Sequence, residues 1–176
     1  MGQNISAFRG AYDFLSNFYP APITYNGLVF KNNEAAFQAA KCPERRAEFC
    51  CLNPSEAKRL GRRVKLRNDW DQIKDMVMYE ICKAKFRQNP DLAERLISTS
   101  DFELIEGNNW GDHIWGVCDG YGENRLGKIL MRIAAFRKTE NDAAVGNSRE
   151  AYIHVRQTPD RSKSHNENCR RTRFFC

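Results

Sequence analysis

Along this chain the apolar positions follow two rhythms. Around Asn26-Gly27 they alternate, in "ITYNGLVF". Asn-Gly between alternating apolar runs is the preferred two-residue type I′ turn, so residues 22–31 are predicted to form a β-hairpin. Elsewhere the period is helical. "NNEAAFQAAKC" reads as a helix with Asn32 or Asn33 as its cap and Pro43 shortly after its end. "NPSEAKRLGRR" offers Asn53 as cap, Pro54 at the first helical position and Glu56 three residues after the cap. The longest helix is predicted over residues 69–87, where Trp70, Ile73, Val77, Ile81 and Ala84 form one apolar stripe. Another follows Pro90, with Leu92, Leu96 and Ile97 inward. "FELIEG" is a short strand, and residues 123–137 make the last helix, burying Leu126, Ile129, Leu130, Ile133 and Phe136. "YDFLSNFYPAPI", aromatic and ending in two prolines, reads as an extended lead-in or loop.

After Lys138 the apolar periodicity fades into Asn, Ser, Arg and Thr, apart from "AYIHV". Residues 141–176 are therefore expected to be a basic polar tail, mostly disordered or weakly docked. No repeats and no alternating strand–helix series occur. The expectation is an α+β fold: one helix-rich domain over residues 1–140 with a small antiparallel sheet.

Composition narrows the class. The 176 residues are 41% hydrophobic and 28% charged, in the globular range. No apolar run approaches the roughly 18 residues that span a bilayer, and the N-terminus lacks a charged-then-apolar secretory pattern. Seven cysteines, an odd number without regular spacing and with Cys50 and Cys51 adjacent, suit reduced thiols in a cytoplasmic protein better than a disulfide framework. "MGQNIS" fits the short Gly2 myristoylation pattern, which recurs by chance, and one acyl chain binds membranes only marginally. The net charge is +6, and its excess is densest in "RSKSHNENCRRTRFFC". This basicity is compatible with a phosphorylated substrate or nucleic acid.

The densest cluster of candidate chemistry is "NNWGDHIWGVCDGYGENRLGKILM", residues 108–131, where tryptophans, aspartates and glycines crowd a loop before a helix. "GENRLGKI" is a near miss to a phosphate-binding P-loop. Ile129 replaces the hydroxyl residue, and Gly127 already belongs to the helical pattern, so the P-loop is rejected. Gly120 and Gly122 make no dinucleotide fingerprint. Cys42, Cys50, Cys51, Cys82, Cys118 and His113 form no C-x-x-C pair, so no metal is expected. A Cys118–His113 nucleophile pair has no further support. Trp110 and Trp115 serve as core plugs or as stacking surfaces for a base. Asp112 beside Gly111 caps the loop or holds a water or sugar hydroxyl. In "NNEAAFQAAK", Glu34, Gln38 and Lys41 share one helical face with Phe37 beside them. Periodicity alone makes that face an ordinary solvated one.

Taken in order, "FRGAYDFLSNFYPAPI", "NNEAAFQAAK", "EAKRLGRRV", "WD…KDMVM…KF", "LIEGNNWGDHIWG" and "GENRLGKILMRI" resemble the NADAR family, which includes the YbiA-like N-glycosidases. The resemblance covers residues 8–137. It implies a YbiA-like fold and cleavage of the bond between a ribosyl carbon and a base or arylamine. The implied substrates are phosphoribosylamino-pyrimidine intermediates of riboflavin biosynthesis or ADP-ribosylated guanine in DNA. It places the family's glutamate at Glu34 and its tryptophan and aspartate at Trp110 and Asp112. Where members often have Ser-Glu-His-Tyr-Phe-Gln, this chain has Asn33 through Gln38 without the His-Tyr pair. On this resemblance Glu34 stabilises an oxocarbenium-like sugar, with Asp112 as the second acidic group. Trp110 and Phe18 stack on the base. Lys41, Arg9 and Arg125 neutralise phosphate, and Asn17, Gln38 and Asn124 donate hydrogen bonds. No cofactor is required. The rivals are a non-catalytic module binding ADP-ribose or a nucleotide, and a nucleic-acid-binding protein acting through its basic tail.

Overall fold

The computed structural model describes residues 3–157, with side chains through residue 143. The C-terminal basic cluster over residues 158–176, the Gly2 pattern and the side chains of "AYIHV" lie outside the described residues. The first compact unit is Met1–Glu140.

The hairpin forms as its turn chemistry dictates. Strands β2 (Pro20–Tyr25) and β3 (Leu28–Asn32) pair antiparallel, with Ile23 opposite Phe30 and Tyr25 opposite Leu28. Asn26 and Gly27 take φ of 49° and 79°, the left-handed geometry a type I′ turn requires. Alternation sends Ala21, Ile23 and Phe30 into the core. Strand β2 begins at Pro20, two residues before the expected start; Pro20 and Pro22 both lie on its exposed face. The segment expected as an extended lead-in instead makes a 3₁₀ turn over Gly10–Leu15, which buries Phe14 and Leu15. A second 3₁₀ turn, Pro43–Phe49, buries Phe49.

Two further strand pairs are parallel, so the antiparallel hairpin is not the whole of the sheet structure. Strand β1 (Asn4–Ile5) pairs with β4 (Glu103–Leu104), and β5 (Gly107–Asn108) with β6 (Val117–Cys118). Each is two residues long, below the length at which a periodic pattern announces itself.

The helices are α1 (Asn33–Ala39), α2 (Pro54–Gly61), α3 (Trp70–Gln88), α4 (Pro90–Ile97) and α5 (Arg125–Gln157). Their caps are those the residue types predict. Asn32 Oδ1 accepts from Ala35 N–H at 2.8 Å, and Asn53 with Glu56 forms a reciprocal capping box. The predicted stripe of α3 is shifted: Met78, Cys82, Lys85 and Phe86 are buried, whereas Ile73 and Ala84 are half-buried. In α4, Leu92, Ala93 and Leu96 are buried, with Ile97 only half so. Phe136, expected inside, is exposed, and Ala134 takes its place in the core. Helix α5 runs past the expected end at residue 137 to Gln157. Fading apolar periodicity removes a packing face, not helix propensity, and no proline intervenes before Pro159. No helix among the described residues is long and apolar enough to cross a membrane.

The core gathers Phe14, Leu15, Ile23, Phe30, Phe49, Ile81, Phe86, Leu104 and Leu130 around α1, whose seven residues are all buried. A surface helix buries one stripe. This one buries every side, although it carries Asn33, Glu34 and Gln38.

Candidate active site

Helix α1 is short and central because small residues let its neighbours close on it. Ala35, Ala36 and Ala39 offer little bulk, and Gly61 of α2 lies directly against Gln38. A Cβ at position 61 would stand 1.9 Å from Gln38 Oε1. Burying polar groups this way is unfavourable unless they are paired. Gln38 Nε2 donates to Glu34 Oε1 at 2.8 Å. Glu34 N–H donates to the Asn17 carbonyl at 3.1 Å. The Glu34 side chain is therefore held by Gln38 while its backbone is tied to the Asn17 segment, and the residue is only 7% exposed, not part of the solvated face that periodicity alone predicts. Burial raises its pKa above the ordinary carboxylate value. The Gln38 hydrogen bond and the cations Lys58 and Lys41 oppose the rise, and Asp112 adds to it.

The glycine- and tryptophan-rich loop is built by its own polar side chains. Asn108 Oδ1 accepts from Asp112 N–H at 3.0 Å, and its Nδ2 donates to the carbonyls of Asp112 and Val117. Asp112 Oδ1 in turn accepts from Ile114 and Trp115 N–H at 3.1 and 2.9 Å. The loop carbonyls of His113 to Trp115 accept from the N–H groups of Glu123, Arg125 and Leu126. The first amides of α5 are thus occupied, and this helix start offers no phosphate cradle. The two tryptophans divide their work. Trp115 packs edge-on against Phe37 at 5.3 Å, and Phe37 also meets Trp70 at 5.1 Å. Trp110 is 55% exposed.

Charge joins helix and loop. Lys58 of α2 lies within Coulombic reach of both Glu34 and Glu106. Its Nζ is 5.7 Å from the Phe18 ring centre and 5.8 Å from that of Trp110, so two exposed aromatic faces meet at one cation. Lys41 Nζ sits over Phe37 and Trp70, and burial lowers its pKa while Glu34 supports its charge. Glu106, between β4 and β5, faces Asp112, Arg9 and Lys58; burial pushes its pKa up to about 7, with Asp112 adding to the rise. The result is a wall of three carboxyl groups, three cations and two open aromatic rings.

Residues 6–136 match the NADAR domain family. The chain belongs to the NADAR domain family. It is 37% identical over 128 residues to the N-glycosidase YbiA of Escherichia coli, spanning 69% of this chain and 79% of that protein. A riboflavin biosynthesis protein of Vibrio vulnificus is 39% identical over 128 residues; the match spans 69% of this chain and only 35% of that longer protein. An N-glycosidase of Acanthamoeba polyphaga mimivirus is 36% identical over 97 residues, 47% of this chain and 56% of its own. The NMR structure of E. coli YbiA superposes with a TM-score of 0.69 at 34% identity, over 78% of this chain and 85% of that one. The fold is thus the helix-rich α+β fold of YbiA. At the level of the family, the chain stands among N-glycosidases, hydrolases of N-glycosyl bonds.

Within this NADAR domain the expected site residues separate into two sets. Glu34, Gln38, Lys41, Phe18, Trp110, Asp112 and Arg9 come together through the contacts above, with Phe37 as the buried aromatic behind them. Three others are committed elsewhere. The Asn17 amide accepts from Asn33 Nδ2 at 3.2 Å and donates to Met78 Sδ. Asn124 accepts from Glu106 N–H and donates to the Leu104 carbonyl, so it fixes backbone where it was expected to bind substrate. Arg125 pairs with Asp75 and Glu123 at 2.9 and 2.7 Å, in a cleft of about 530 Å³ between α3 and α5 that no other expected site residue lines. Two such ion pairs leave its guanidinium little freedom to meet a phosphate. Nor do Cys118 and His113 pair: the His113 ring stacks on Tyr121 at 4.1 Å. Sequence reasoning missed Lys58 and Glu106. The only signals were small neighbours, Ala57 and Gly61, that let α2 approach α1, and an acid closing the apolar run "ELIEG".

Proposed function

We propose that the protein hydrolyses the N-glycosidic bond between a ribosyl C1′ and a base or arylamine, with Glu34 as the anion beneath C1′. The observation that carries this reading is the Glu34 carboxyl itself: buried, hydrogen-bonded to Gln38, and faced by Lys58 and Lys41. A structural protein gains nothing from such an arrangement, whereas perturbed carboxyls gather at sites of chemistry. As the C1′–N bond breaks, its electron pair leaves with nitrogen and the sugar becomes oxocarbenium-like. Glu34 stabilises that positive charge and takes a proton from the water whose oxygen adds to C1′. Gln38 holds the anion in place. Trp110 and Phe18 offer faces to the departing ring. Lys58, Lys41 and Arg9 form the cationic side suited to a phosphate. Asp112, one oxygen of which holds the Ile114 and Trp115 amides of the loop, keeps negative charge near Glu34.

Two substrates fit this chemistry: a phosphoribosylamino-pyrimidine of riboflavin biosynthesis and ADP-ribosylated guanine in DNA. The Vibrio relative's name favours the first. The deciding experiment offers each to the purified protein and weighs the products by mass spectrometry. Release of free pyrimidine with ribose 5-phosphate is expected. Tight binding of ligand without any released base would instead make the protein an ADP-ribose or nucleotide reader.

A further inference from the structure

Resting on the glycosidase reading, the geometry points to Glu106 as the general acid that protonates the departing nitrogen, a role no expectation from sequence gave it. Hydrolysis needs such a donor, because an amine leaves poorly as an anion. The other two carboxyls of the site do not fill the place. Glu34 must be ionised to act, and its hydrogen bond from Gln38 favours the anion. Asp112 Oδ1 is held by two backbone N–H groups of its own loop.

Glu106 differs on each count. Its Oε2 is fully buried and has no hydrogen-bond partner among the described residues. A buried carboxyl oxygen without a donor favours its protonated form, and a carboxylic acid, unlike a carboxylate, can donate. Its backbone is rigid: its N–H donates to Asn124 Oδ1 at 3.1 Å, and its carbonyl accepts from Val117 N–H at 2.9 Å. The charged groups facing it are Asp112 from the loop, Arg9 from the N-terminal segment and Lys58 from α2. The last two also belong to the site's cationic side, and Asp112 lies within reach of Glu34 as well. Burial raises both carboxyls, with Asp112 adding to the rise and Lys58 opposing it. What separates base from acid is the Gln38 donor on Glu34 and the absence, among the described residues, of a hydrogen-bond partner on Glu106 Oε2. The burial-raised pKa of about 7 leaves about half of the Glu106 carboxyls protonated at neutral pH, a value matched to giving up and regaining a proton there. In the step itself, the O–H bond of Glu106 breaks, its proton joins the nitrogen that has taken the C1′–N electron pair, and Glu106 is left as carboxylate. The proton taken by Glu34 from water returns to solvent, and Glu106 is reprotonated.

The test uses the full chain and two leaving groups on 5-phosphoribose: an arylamine, which requires protonation, and 4-nitrophenolate, which does not. Glu106→Gln preserves shape but cannot donate. It is expected to lower kcat on the arylamine by about 10²–10⁴-fold and to change the nitrophenolate rate only a few-fold. The wild-type chain needs no variant for the second reading. Its kcat on the arylamine should decline above about pH 7, with no such limb for nitrophenolate. Equal losses on both substrates, no loss on either, or a shared alkaline limb would overturn the assignment. Failure of the wild-type chain to cleave either compound would strike the glycosidase reading itself, and the acid with it. An intact circular-dichroism spectrum for the variant keeps misfolding apart from lost donation.

Discussion

At the scale of single residues, Glu34 shows how little a residue's type says about its work. The chain has 22 acidic side chains, and most of those among the described residues sit in water or in exposed pairs such as Arg45–Glu48. Exposed pairs contribute little to stability. Glu34 is set apart by what surrounds it: Gln38 one turn on, two lysines, and nearly complete burial. Because burial raises its pKa and the proposed reaction needs its anion, activity should fall as pH drops through that raised value. Glu34→Ala is expected to leave the fold nearly unchanged, since it removes a group whose burial is itself unfavourable, and to reduce kcat by orders of magnitude. Thermal unfolding and glycosidase rates on the same preparation check both halves. A variant as active as the parent would remove the anion from the mechanism. The same logic explains the two tryptophans. "WGDHIWG" cannot say which indole is inside, and only packing against Phe37 settles that Trp115 is the partner of the core and Trp110 the open face.

At the scale of elements, the site depends on how closely α1 and α2 approach. Gly61 is the hinge of that contact, because any side chain there collides with the Gln38 amide, its Cδ at 2.7 Å and its Cβ at 3.0 Å from the added atom. Gln38 is buried, so its amide must shift within a packed interior to make room. Gly61→Ala should therefore destabilise by about 1–3 kcal/mol through overpacking. It should also lower kcat by about 10²-fold by pulling Gln38 off Glu34. Combining it with Gln38→Ala should restore much of the stability but not the activity, a non-additivity that a double-mutant cycle in urea measures. Additive losses would mean that the two residues do not meet. The elements themselves were largely legible. The hairpin and its Asn-Gly turn, the Asn32 and Asn53 caps, and helices α2 to α4 follow from local rules. The misses have local causes too. Two-residue strands carry no periodicity, a 3₁₀ turn rich in aromatics imitates a loop, and a helix without an apolar stripe still propagates.

At the scale of the whole molecule, Lys85 marks where the global fold overrides composition. It is 0% exposed, donates to the Ser16 carbonyl at 2.8 Å and lies over the rings of Tyr19 and Phe86. It thereby anchors the segment that carries Asn17 and Phe18 to the site. Burial lowers its pKa to about 8, against the support of Cys82 and Asp13 and with Arg95 lowering it further. The unfolded chain holds that proton to about 10.5, so between pH 8 and 9 the unfolded state binds more protons and stability should rise with pH. The slope is at most about 1.4 kcal/mol per pH unit for one proton. Above pH 9 the neighbouring Cys82, whose buried thiol is pushed up to about 12, works in the opposite direction. Urea unfolding at pH 8 and 9 should show the rise in the parent and its loss in Lys85→Met. A flat profile in the parent would show that the ammonium is not buried.

By itself the sequence determined what acts over a few residues: turn, caps, helical stripes, and the ordered motifs that mark the family. Tertiary structure alone decided which of those residues share a site. Lys58, Glu106 and Arg9 reach one another from α2, the β4–β5 junction and the N-terminal segment, far apart along the chain. It also turned α1 from a plausible surface helix into a buried one, and drew Arg125 away to Asp75. The reason is physical. Hydrogen-bonded turns and helical periods are written in neighbouring residues, whereas desolvation and Coulomb energy depend on distances through space, and those exist only once the core has closed.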